Sequence, residues 1–139
     1  MAIKYYPADD LKGVAKEIVF KLDWLHIDLN SVGFLRSRGS KSRGTIARCH
    51  ALGKAMQMGM GREKAFYLIE VISERFDRMS EEDQIKTIIH ELMHIPKSFG
   101  GGFKHHNIVN EKNVGKVYEH YCKLKKNELQ EKGENDKWF

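Results

Sequence analysis

The chain reads as a small α+β domain in which a short sheet of about three strands packs against one central helix, with further helices at either end. Three observations predict this. Residues 65–72, Ala-Phe-Tyr-Leu-Ile-Glu-Val-Ile, are nearly continuous in apolar and β-branched residues, as in a central strand. Ile85, Ile88, Ile89 and Leu92 fall at i, i+3, i+4 and i+7, the apolar stripe of an amphipathic helix. Leu11, Val14, Ala15, Ile18, Val19 and Leu22 near one end, and Val114, Val117, Tyr118, Tyr121 and Leu124 near the other, repeat at helical spacing.

Taken in order, the first helix is expected over about 7–23, opened by Pro7, whose fixed φ suits a helix start. Residues 26–35 alternate well enough for a first strand, and 45–52 for a second. Between them lies Arg36-Ser-Arg-Gly-Ser-Lys-Ser-Arg-Gly44, a hairpin-like loop. It reads as a solvated turn, or as a phosphate-contacting loop carrying Arg36, Arg38, Lys41 and Arg43. Residues 53–61, with Met56, Met58 and Met60, form a short irregular or helical connection. The strongest strand, 65–72, should lie centrally, next to the amphipathic helix. Ser80 followed by Asp83 is a near-match to a capping box, with Glu81 and Glu82 in the first turn, where carboxylates suit the helix dipole. That helix should end near Ile95, before Pro96. The last helix is expected over about 111–131, and the charged tail 132–139 is expected to fray. A single domain over 1–131 accounts for the pattern.

The chain has 139 residues, a net charge of +5 and 41% hydrophobic residues, which fits a globular domain large enough for a core without disulfides. Cys49 and Cys122 are far apart and make neither a disulfide framework nor a zinc ribbon, so a reducing cytoplasm is the simple expectation. No apolar run is long enough to span a membrane, and the first residues lack the core of a secretory signal. The mild basic excess permits an acidic partner without demanding one.

The chemistry concentrates at Ile89-His90-Glu91-Leu92-Met93-His94-Ile95-Pro96. The His-Glu-x-x-His spacing puts two imidazoles one helical turn apart, within reach of one metal ion, and a carboxylate beside them that can handle a proton. The apolar stripe centres roughly opposite the histidines, which should therefore face outward. Gly100, Gly101 and Gly102 allow a sharp return of the backbone that can bring His105 or His106 toward the first pair. A catalytic zinc needs three protein ligands and an open position for water, so a third ligand after a chain reversal is what the chemistry asks for. Glu119 on the last helix is a further candidate. The pattern points to a zinc hydrolase in which Glu91 is the general base. A donor for the carbonyl oxygen could come from Lys104, His105, Tyr118 or Tyr121.

Several of these residues also carry a family likeness. Ala47-Arg48, Tyr67-Leu-Ile-Glu70-Val-Ile, Phe76-Asp77, then His90-Glu91-Leu92-Met93-His94-Ile95-Pro96, Phe99-Gly-Gly-Gly102 and His106 together resemble the metallopeptidase family found in archaea and phages. That family is in turn similar to SprT-like minimal zincins. The resemblance covers about residues 26–106 and implies a small zincin-like core with zinc held by three histidines. In the family pattern the third histidine follows the glycine turn, which matches His106 better than His105, although Asn107 stands where a glycine is usual. The implied activity is zinc-dependent hydrolysis of peptide bonds, with a protein or peptide as substrate. SprT-like enzymes act on DNA-attached proteins, so weak nucleic-acid contact through the basic loop is implied by analogy.

Overall fold

The computed structural model describes residues 2–102, 104 and 109–136. Four strands, β1 (Lys4–Pro7), β2 (Val32–Arg38), β3 (Ala47–Ala51) and β4 (Tyr67–Ile72), form one mixed sheet in the order β1-β2-β4-β3. Among the described residues five α-helices accompany it: α1 (Asp9–Lys21), α2 (Lys54–Gly59), α3 (Ser73–Phe76), α4 (Glu81–Met93) and α5 (Glu111–Asp136). The α+β class is as expected, with four strands in place of about three.

The strand β4 is central, pairing parallel with β2 and antiparallel with β3. Its alternate residues Tyr67, Ile69 and Val71 enter one core with Val32 and Phe34 of β2, Ile18 of α1, and Ile88, Ile89 and Leu92 of α4. Leu35, His50, Leu68 and Glu70 line a concavity of about 500 Å³ on the opposite face of the sheet. Glu70 is buried there, accepting from the Ser37 hydroxyl at 2.6 Å and bonded to His50 Nε2 at 2.8 Å, with Arg48 Nη1 at 3.7 Å.

Three expectations are corrected. Pro7 does not open a helix: it ends β1, an exposed edge strand antiparallel to β2, where its missing N–H is harmless. The second strand starts at Val32 rather than His26, because Asp28 caps a 3-10 turn over Leu29–Ser31 by accepting from the Asn30 N–H. Arg36 and Arg38 therefore belong to β2, and β2 and β3 do not form a hairpin. Their connection crosses the C-terminal end of β4, where α3 ties it down: Glu74 accepts from the Gly39 N–H at 2.9 Å, and Arg75 donates to the carbonyls of Ser42 and Thr45. Arg36 is a structural cation, bidentate to Asp10 at 2.7 and 2.9 Å and bonded to Asp77 at 3.1 Å. Of the four basic residues, Lys41 and Arg43 are exposed in the connection and Arg38 at the end of β2.

The last helix continues past Glu131 to Asp136. Lys21 of α1 is bonded to Glu128 of α5, closing the helical layer. No helix among the described residues is long and apolar enough to cross a membrane.

Candidate metal centre

The helix that carries the site begins as its sequence requires. Ser80 Oγ accepts from the Asp83 N–H at 3.2 Å, and three acidic residues occupy the first turn. Ile88, Ile89 and Leu92 are fully buried, fixing the rotation of α4 against the sheet. The helix ends at Met93, with His94 as its C-cap.

The histidines do not simply face solvent. His90 is half-buried, whereas His94 and Glu91 are 7% and 5% exposed. His94 is covered because the chain returns over it after Pro96. The Lys104 N–H donates to the His94 carbonyl at 2.9 Å, and the Lys104 carbonyl lies 2.6 Å from His94 Nδ1. A carbonyl can only accept, so in the neutral ring Nδ1 carries the proton and Nε2 keeps its lone pair. That Nε2 lies 3.3 Å from His90 Nε2.

The residues fit a metal. At 3.3 Å two imidazole nitrogens either share a proton or jointly face a cation. Two nitrogens bound at about 2.0–2.1 Å to a tetrahedral zinc stand about 3.3–3.4 Å apart, the same separation. Ligand atoms of His90, Glu91 and His94 all lie within 4.8 Å of one another, and among the described residues they form a group able to hold an ion. His105 and His106 lie outside the described residues. Glu119 is exposed on α5 and is not part of this group.

The Glu91 carboxyl is pushed up to about 7 by burial. Beside it, burial and the Glu91 charge push the Cys49 thiol up to about 12, so Cys49 is a neutral neighbour rather than a nucleophile.

His90 and Glu91 open into a cleft of about 480 Å³. One wall is the stretch Thr45–Ala47 leading into β3, and the other comes from Lys86 of α4 and Glu111 and Val114 of α5. Among the described residues β3 has one neighbour in the sheet, β4, which makes it an edge strand, and its first residue, Ala47, lines the cleft.

Residues 3–129 match the model of the family described as "Putative phage metallopeptidase". The chain belongs to this family. No curated protein and no solved structure matches it. Membership of the phage metallopeptidase family carries a metal cofactor and a protein or peptide substrate with it, and the His90, Glu91, His94 group is the candidate centre.

The oxyanion candidates are dispersed. Tyr121 is buried near Glu17 of α1, and the Lys86 ammonium lies 5.1 Å from the centre of the Tyr118 ring. Lys104 lines a separate cavity with Trp24, His26 and Lys97. Sequence reasoning missed Tyr67, whose hydroxyl meets the glycine return. The available signal was a tyrosine sharing the core-facing positions of its strand with the aliphatic Ile69 and Val71, since a buried O–H needs a partner.

Proposed function

We propose that this chain hydrolyses peptide bonds as a zinc-dependent peptidase of the minimal, SprT-like zincin kind, with His90, His94 and His106 as ligands and Glu91 as general base. The observation that carries the reading is the pair of Nε2 atoms 3.3 Å apart, one oriented by the Lys104 carbonyl, with a desolvated carboxyl next to them. When bound, zinc supplies a Lewis acid that lowers the pKa of a water and polarises the scissile carbonyl.

The chain's own residues do the rest. Glu91 accepts the proton of the attacking water and passes it to the leaving amine nitrogen. His94 is held in one tautomer by Lys104, so its metal-binding nitrogen needs no reorganisation. The open edge of β3 offers main-chain donors and acceptors to an extended peptide, which would lie along the cleft past Glu91. Support for His106 comes from the family likeness and from the return that leads the chain back to Lys104, beside His94.

Glu91→Gln tests the mechanism. Turnover of an unfolded protein should fall by about 10²–10⁴-fold, with the bound metal kept. Turnover at the wild-type rate, or loss of metal in this variant, would contradict Glu91 as the base.

A further inference from the structure

We propose that Tyr67 is a positioning residue for the metal centre: its hydroxyl holds the glycine return in the one place from which Lys104 can fix His94. The inference rests on the reading of His94 as a metal ligand.

Tyr67 begins the central strand β4 and is fully buried. Its hydroxyl donates to the Gly102 carbonyl at 3.1 Å and accepts from the Gly101 N–H at 3.1 Å. Both of its hydrogen-bonding roles are thus directed at two consecutive residues of one turn. Its ring meets Phe99 edge to face, 5.1 Å between centroids. The turn needs such a hold. Phe99 has φ +50°, Gly101 +93° and Gly102 +83°, so three residues sit in the left-handed region, one of them not glycine. The Pro96 carbonyl accepts from the Phe99 N–H at 2.9 Å, which closes the turn's first part locally. Its second part is fastened to Tyr67, across from α4.

Two residues further on, Lys104 makes its paired contact with His94, through N–H to carbonyl and carbonyl to Nδ1. Tyr67 therefore bears on His94 through the return that carries Gly101, Gly102 and Lys104. A hydrogen-bond partner that fixes the tautomer and ring angle of a metal-binding histidine commonly accounts for about 10–100-fold in metal affinity. Here that partner is a backbone carbonyl on a glycine turn, and a backbone carbonyl is only as well placed as its turn. The tyrosine hydroxyl supplies the rigidity that three glycines lack.

Tyr67→Phe removes the hydroxyl and keeps the ring against Phe99. Zinc affinity, read by competition with a chromophoric chelator, should weaken about 10–100-fold. The rise in melting temperature on adding zinc should shrink correspondingly. A merely structural hydroxyl would lower the metal-free and zinc-loaded melting temperatures equally and leave the affinity alone, and that result overturns the proposal. His94→Ala, run alongside, separates the two ideas: unchanged zinc affinity there would remove His94 from the centre, and this proposal with it. Amide exchange in the wild type tests the contact even if the variant does not fold. The Gly101 N–H should be protected relative to Gly100, and free exchange at Gly101 would overturn the anchor.

Discussion

Single side chains at this centre are defined by what they touch. His94 carries a ring whose two nitrogens have separate tasks, one bonded to Lys104 and the other 3.3 Å from His90. The motif spacing made the second task legible, because a helical turn separates the histidines whatever surrounds them. The first was not legible, since Lys104 is ten residues away and acts through its backbone. Cys49 shows the converse, a residue whose chemistry is removed by its place. Its thiol, pushed up to about 12 mainly by burial, should alkylate about tenfold or more slower in the folded protein than in urea at the same mildly alkaline pH. Iodoacetamide labelling followed by peptide mass analysis reads this, and equal rates would show that the thiol is open to solvent. Arg36 looked like part of a basic loop because its neighbours are Ser and Arg. Only the fold reveals Asp10 and Asp77 as its partners.

At the scale of elements, α4 was readable because its signals are local: a serine cap, acidic first turn, an apolar stripe and a proline stop. Ser80→Ala should cost about 0.5–2 kcal/mol in urea unfolding while leaving metal content unchanged, since the cap is at the far end of the helix from His94. Ile89→Ala, beside the first histidine and fully buried, should cost about 2–5 kcal/mol. A loss below 0.5 kcal/mol would mean that the stripe is not what seats the helix. The strand β4 was readable from its β-branched run. By contrast β1 has four exposed residues ending in proline, too little pattern to show. The start of β2 was misplaced because residues 26–31 alternate like a strand, while Asp28 turns the chain instead.

Across the whole molecule, the order β1-β2-β4-β3 was the least legible feature, since pairing β2 with β4 depends on contacts between residues more than thirty apart. It has consequences for both faces. Among the described residues it leaves β3 at the edge, with Ala47 lining the same cleft as the candidate ligand His90, and it puts Glu70 beside Arg48, His50 and Ser37 on the other side. Burial raises the Glu70 carboxyl, but the bonds from Ser37 and His50 and the nearby Arg48 outweigh it and hold it below its ordinary value. The Asp10 carboxyl is likewise lowered, chiefly by Arg36. A carboxyl lowered on folding contributes stability above its unfolded pKa and loses it as pH falls through the folded one. Stability should therefore decline below about pH 4, and less steeply in Glu70→Gln, as urea midpoints across pH 3–7 would show. Identical acid slopes would mean that Glu70 contributes nothing to the acid sensitivity.

That His90 and His94 hold a metal ion is tested by elemental analysis of the purified protein beside His90→Ala and His94→Ala. About one zinc per chain is expected in the wild type and a loss of zinc in each variant that still folds. Zinc retained at full stoichiometry in both folded variants, or no zinc taken up by the wild type when it is supplied, would contradict it.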